Sequence, residues 1–135
     1  MIKYKERLNG INSLLIQCVE NISSRTKLEL NRDIIVVFGY RSPEQQQALY
    51  NQGRTSPGKI VTNAKSGQSA HEYYAAVDIW IMSENNKTID WNNKNFPKII
   101  KEEVEKIKGL TWGGNFKSIK DMPHIELTNW KSLRK

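Results

Sequence analysis

Ala76-Val77-Asp78-Ile79-Trp80-Ile81-Met82 is the stretch whose reading decides the fold. Its side chains alternate with the period of two that a strand imposes. Ala76, Asp78, Trp80 and Met82 fall on one face, and Val77, Ile79 and Ile81 on the other. An acid in the middle of such an apolar strand needs a partner.

Working outward, three more segments read as strands. Asp33 to Tyr40 is a β-branched and aromatic run, which predicts a buried strand. Leu110-Thr111-Trp112 predicts a short one ending in Gly113-Gly114. His124 to Thr128 predicts the last, with His124, Glu126 and Thr128 on one side and Ile125 and Leu127 on the other. Helical spacing appears twice. Tyr4, Leu8, Ile11, Leu15, Cys18 and Ile22 recur at steps of three or four, predicting one amphipathic helix over Ile2 to Ile22. Ile100, Val104 and Ile107 do the same for a helix from Phe96 or Pro97 to about Lys108. Between them, Ser42-Pro43-Glu44-Gln45 has a capping serine, a proline at the first helical position and a glutamine at the capping-box position. That helix is expected to stop near Gly53, where a long loop to Gly67 begins. Ser83 to Asn95 reads as a polar loop. Helices and strands do not alternate regularly, as a parallel sheet would require, so the fold class is α+β. A mostly antiparallel sheet is expected, packed on one side by the two amphipathic helices.

A chain of 135 residues fits one domain spanning 1–135. Cys18 is the one cysteine, which excludes an internal disulfide. It falls on the apolar stripe of the first helix and reads as a buried small hydrophobe. No stretch approaches the roughly 20 apolar residues of a membrane span. The first residues, Met1 to Arg7, have no apolar core of a signal peptide. Lys and Arg total 21 against 14 Asp and Glu, a net charge of +7, which favours attraction to a polyanion. The densest basic cluster is Lys131, Arg134 and Lys135, without the interleaved aromatics of a nucleic-acid stacking platform.

The chemistry concentrates at the two histidines, His71 and His124, the only ones in the chain. Two imidazoles and a carboxylate are the three protein ligands of a catalytic zinc with an open fourth position. His71 lies just before the strand carrying Asp78, and the intervening loop can fold the imidazole back beside the carboxylate. If the strands of Asp78 and His124 lie side by side, those two share a face. Asp121, three residues before His124 with Pro123 between, is placed to act as a general base. Glu126 can orient an imidazole from behind. Glu72 is expected to be exposed. Arg41, at the end of a strand, can clamp a carboxylate or stabilise an oxyanion.

These residues sit in motifs that resemble a known family. The motifs are Gly39-Tyr40-Arg41-Ser42-Pro43-Glu44-Gln45-Gln46, the block from Gln52 to Ala64, Ser69-x-His71 with Asp78, Trp112-Gly113-Gly114-x-Phe116, and Asp121-x-Pro123-His124. In that order they resemble the zinc D-Ala-D-Ala carboxypeptidase/L-alanyl-D-glutamate peptidase family, and the block from Gln52 to Ala64 most resembles its phage endolysin branch. The resemblance implies a hedgehog/DD-peptidase-like single domain and a bacteriolytic peptidoglycan hydrolase cutting the L-alanyl-D-glutamate bond of the stem peptide. It implies zinc on His71, Asp78 and His124, catalysis by Asp121 and Arg41, and substrate binding by Arg41, Ser69 and Gln45. Where the family pattern has glycine, this chain has Tyr74, which is expected either to fit without positive φ or to fill space near the site.

The expected partner is bacterial peptidoglycan, met by a monomer with no separate wall-binding domain, no nucleic acid and no membrane insertion. Without a signal peptide, the protein is expected to be made in the host cytoplasm and to reach the wall after the membrane is permeabilised. The alternatives are a D-Ala-D-Ala carboxypeptidase on the same fold, a non-catalytic zinc- or wall-binding module, and, on charge alone, a nucleic-acid binder.

Overall fold

Five strands form one sheet in the order β1-β2-β3-β5-β4: β1 Ile2–Lys3, β2 Ile34–Phe38, β3 Ala76–Ile81, β4 Leu110–Trp112 and β5 His124–Leu127. Only the β1–β2 pair is parallel, and the other three pairings are antiparallel. Among the described residues, three α-helices complete the fold: α1 Ser13–Leu30, α2 Pro43–Asn51 and α3 Phe96–Glu105. The computed structural model describes residues 1–117 and 120–134. Lys135 of the basic tail lies outside them. Among the described residues, no helix is long and apolar enough to cross a membrane.

α1 and α3 contact each other as well as the sheet, so they cover the same side of it. Val77, Ile79 and Ile81 of β3 are fully buried, as are Ile22 of α1 and Ile100 of α3. A charged seam ties the two helices. Arg25 of α1 reaches Glu29 at 2.6 Å, Glu102 at 2.7 Å and Glu103 at 3.1 Å, the last two on α3. Cys18 is buried in this layer, and burial, aided by the charge of Glu103, pushes its thiol up to about 12. That leaves it a neutral hydrophobe, as its place on the stripe implied.

The first helix differs from the reading of Ile2 to Ile22. The chain begins with β1 and a 3₁₀ turn over Lys5–Leu8, and α1 starts only at Ser13. Tyr4 and Gly10 both adopt positive φ, which no continuous helix allows. Asn12 then caps α1, its side chain accepting from the Leu14 N–H at 2.9 Å. Leu8 and Ile11 are still buried, because the turn carries them onto the same core as Leu15 and Ile22.

β2 contains a bulge. Ile34 and Val36 pair with Ile81 and Ile79, facing the helices, but the next pairing joins Phe38 to Asp78 and leaves Val37 over. The extra residue turns Phe38 onto the opposite face, the one Asp78 occupies. Arg7 supports the break, donating from Nη1 to the carbonyls of Val36 (3.1 Å) and Val37 (2.8 Å).

The α1 cap gives a direct test. Asn12→Ala is expected to lower unfolding free energy by about 1 kcal/mol in urea denaturation. Leu28→Ala, at a side chain 88% exposed, is expected to change it by less than about 0.5 kcal/mol.

Candidate metal centre and its cavity

Asp78 and His124 are directly opposed in the β3–β5 ladder. Side chains opposed in an antiparallel pair share a face, so the carboxylate and the imidazole meet without help from any loop. His124 Nδ1 lies 3.0 Å from Asp78 Oδ1.

His71 arrives by a 3₁₀ turn over Ala70–Tyr73. Ser69 caps it, accepting from the His71 N–H, and Glu72 reaches back to accept from the N–H groups of Ser69 (3.0 Å) and Gly67 (2.7 Å). Glu72 is therefore not the free surface residue expected, because it closes the turn that presents His71. The turn ends at Tyr74 with φ 56° and ψ 27°. The tyrosine thus does not avoid positive φ, as one expectation had it: it adopts the left-handed conformation that glycine takes easily, at roughly 1–2 kcal/mol for a side-chain-bearing residue. The result places His71 Nε2 3.3 Å from Asp78 Oδ1. One donor atom each from His71, Asp78 and His124 lies within 4.8 Å of the others, and all three residues are buried.

The far side of each ring fixes which nitrogen carries hydrogen. His71 Nδ1–H donates to the Gly39 carbonyl at 2.8 Å, so Nε2 is the nitrogen left facing the cluster. His124 Nε2–H donates to Glu126 Oε1 at 2.7 Å, and Trp130 Nε1–H holds the other carboxylate oxygen at 2.9 Å. Glu126 thus orients the imidazole as its position on the strand suggested. Two ring nitrogens and a carboxylate oxygen converge on one point, a set that repels itself unless a proton or a cation sits among it. The site therefore fits a divalent metal ion by the chemistry of its donors.

The ionisation follows the same geometry. Burial alone would raise the Asp78 carboxyl, but the charges and hydrogen bonds of His71 and His124 hold it well below the ordinary carboxylate range. Burial opposes the His124 imidazolium, yet its bonds to Asp78 and Glu126 push it up to about 10. Asp121 lies 3.9 Å from His124 Nδ1 and is partly exposed to the cavity. Burial first, and then the charge of Asp78, raise its carboxyl above the usual value.

The cluster opens into a cavity of about 420 Å³. Arg41, Ser69, Phe116 and Asp121 line it beside the three donors. Arg41 Nη2 lies 3.9 Å from Asp78 Oδ2, while Nη1 donates to Gln46 Oε1 at 2.9 Å. Gln46 in turn donates to the Ala64 carbonyl at 2.7 Å, tying the arginine to the long loop. Gln45, expected to bind substrate, does not line the cavity. Its side-chain oxygen accepts from the Ser42 N–H at 2.9 Å in the capping box of α2. The residue that supports the arginine there is its neighbour Gln46, 99% buried, which the sequence did not set apart from the adjacent glutamines. Two glycines are required by close approach. A Cβ on Gly113 would collide with the Asp121 backbone carbonyl, and one on Gly39 with that of Arg7. Gly113 also accepts the Asp121 N–H through its own carbonyl at 3.0 Å, which sets the Asp121–His124 segment against the Trp112-Gly113-Gly114 turn.

A buried His–Asp–His donor set opening on a cavity with a further carboxylate and an arginine is the arrangement of a metal-dependent hydrolase. The sequence profile of the D-alanyl-D-alanine carboxypeptidase family matches residues 62–127. The peptidoglycan L-alanyl-D-glutamate endopeptidase CwlK of Bacillus subtilis (strain 168) is 39% identical over 102 residues, 70% of this chain. The chain spans 60% of the length of that relative. The fold matches the crystal structure of Serratia marcescens L-Ala D-Glu endopeptidase ChiX with a TM-score of 0.66 at 22% identity, covering 98% of this chain and 93% of that one. It also matches a mutant of the vancomycin resistance D,D-pentapeptidase VanY in complex with Zn(II), with a TM-score of 0.54 at 16% identity, over 90% of this chain and 74% of that one. In sequence over residues 62–127 and in fold, the chain is similar to the M15 metallopeptidases.

The tautomers imply a pH signature. In cation-free protein the raised His124 contributes stability that is complete below its unfolded pKa of about 6.5 and is lost as pH rises towards about 10. A metal ion must displace that proton. Affinity for Zn(II), measured by titration calorimetry at pH 6, 7 and 8, is expected to rise with pH by up to about tenfold per unit. A pH-independent affinity would contradict the arrangement.

Proposed function

We propose that the protein is a zinc peptidase of peptidoglycan that cuts the L-alanyl-D-glutamate bond of the stem peptide. The observation that carries this reading is the convergence of one nitrogen each from His71 and His124 with Asp78 at a cavity that also holds Asp121 and Arg41. His71, Asp78 and His124 would hold the ion. Bound there, zinc acts as a Lewis acid towards the scissile carbonyl and lowers the pKa of water to about 7.

The chain's own residues do the rest. Asp121 takes the proton of the attacking water and returns it to the leaving amine. Burial, which raises its carboxyl above the usual value, favours the protonated form it needs as the acid. Arg41, oriented by Gln46, offers its guanidinium to the developing oxyanion or to a substrate carboxylate. Glu126 and the Gly39 carbonyl hold the two imidazoles in the tautomers the ion needs. Ser69 acts on the same site indirectly, through the turn that carries His71.

The identity to an L-alanyl-D-glutamate endopeptidase supports the choice of bond. The description of the matching family profile favours a second reading, removal of a terminal D-Ala by the same chemistry. Mass spectrometry of digested muropeptides separates them: the first exposes a new amine on D-Glu, and the second shortens the stem by one D-Ala. The phage endolysin setting, with release from the host cytoplasm, belongs to this same proposal. So does the role of the +7 charge in holding the protein on an anionic wall.

Two sets of measurements test the reading. His71→Ala, Asp78→Ala and His124→Ala are expected to lose both bound zinc and hydrolysis. Asp121→Asn is expected to keep the zinc and lose roughly 10²- to 10⁴-fold in kcat. Full activity of Asp121→Asn in a peptidoglycan turbidity assay would remove the base assignment. Lysis of whole walls is expected to fall as ionic strength rises, while hydrolysis of a soluble stem peptide changes little. Equal salt dependence on both substrates would count against electrostatic capture.

A further inference from the structure

Tyr74 is not accounted for by the metal centre. Its ring stacks on Tyr40 with centroids 4.4 Å apart and planes 17° from parallel. Gly10 packs against it so closely that an added Cβ would lie 2.9 Å from Tyr74 Cε1. A strained residue pinned in this way is expected in a core, yet the pair is not in a core. Tyr40 and Tyr74 are each 42% exposed, and Phe38 beside them is 45% exposed. Three aromatic side chains held out to water at one place mark a binding surface.

With Glu6 and Asn9 these rings line a depression of about 440 Å³. Phe38 also lines the cavity of the metal centre, so the two hollows meet at that side chain. Arg7 borders the depression too, but its guanidinium is engaged by the carbonyls of Val36 and Val37 and lies 4.4 Å from the Tyr4 ring centroid. That disfavours an anion as the ligand. A flat aromatic face beside a carboxylate and an amide suits a pyranose. The C–H bonds of the sugar lie against the electron-rich ring face, and its hydroxyl and acetamido groups find Glu6 and Asn9 at the rim.

We propose that this depression is a subsite for an N-acetylated sugar of the peptidoglycan glycan strand. The inference rests on the L-alanyl-D-glutamate reading above. In peptidoglycan the L-Ala of the stem is joined to the lactyl group of muramic acid. An enzyme cutting after L-Ala therefore has a sugar one residue from the scissile bond, whereas one removing terminal D-Ala has it at the far end of the stem. A sugar subsite that shares a wall with the metal-centre cavity fits the first geometry. It also gives Tyr74 a use, since a glycine there would leave Tyr40 without its supporting ring.

The test uses zinc-loaded protein and two readouts. Glycan strands stripped of peptide, titrated while the ring resonances of Tyr40 and Tyr74 are followed by NMR, are expected to shift both in a saturable way. The shifts are lost in Tyr40→Ala and kept in Tyr40→Phe. On a disaccharide-bearing muropeptide, Tyr40→Ala is expected to raise KM roughly five- to tenfold. On the same stem without sugar, its kcat/KM stays within about twofold of the parent. The absence of any shift with glycan strands, or an equal loss on both substrates, would overturn the subsite. Shifts produced as strongly by sugar-free stem peptide would overturn it as well, making the depression a peptide groove. Saturable glycan shifts in a protein that cuts no stem peptide would support the subsite while ending the peptidase reading, so the two failures are distinguishable.

Discussion

Asp78 faces His124 because β3 and β5 pair antiparallel in one particular register. A slip of one residue would turn the imidazole to the helix-covered side and put Ile125 opposite the carboxylate. The helix layer guards against that slip. Val77, Ile79 and Ile125 are fully buried, and moving them to the other face would expose them to the cavity. The energy that fixes the site is therefore mostly hydrophobic and sits behind it, in side chains with no chemistry of their own.

Around that pair, each polar group is held by a neighbour facing away from the reaction. His71 is held by the Gly39 carbonyl, His124 by Glu126, which Trp130 fixes in turn, and Arg41 by Gln46. The supporting groups come from different segments of the chain. Ser69 and Glu72 build the turn under His71, and Gln46 joins α2 to the long loop at Ala64. Held this way, the three donors need little rearrangement to accept an ion, which favours affinity by reducing the ordering that binding would otherwise require.

The sequence was legible where local rules and tertiary packing agree. β3 could be read because its alternation is strict, and α2 because Ser42 and Gln45 cap it as their spacing implies. The fold class followed, and so did the succession of elements from β2 onward, but β1 was not among them. The start of α1 could not be read, because Leu8 and Ile11 keep helical spacing across the Gly10 turn: the same core face is reached by a different backbone. Within the site, His71, Asp78 and His124, which the structure brings together, could be picked out from residue type and position. Gln46 could not, since neighbouring glutamines in a helix differ only in the direction they point, about 100° apart. Glu72 was misread for a similar reason, because a side chain that serves the backbone leaves no compositional trace. Tyr74 shows a related limit: the chain tolerates a left-handed tyrosine there because Tyr40 and Gly10 enclose its ring.

The bulge at Val37 divides β2 into two stretches under different constraints. Before it, Ile34 and Val36 look towards the helices and must match their volume. After it, the parity of the strand is inverted, and Phe38, Gly39 and Arg41 answer to the cavity instead. A single surplus residue thus lets one short strand be core at its beginning and binding wall at its end.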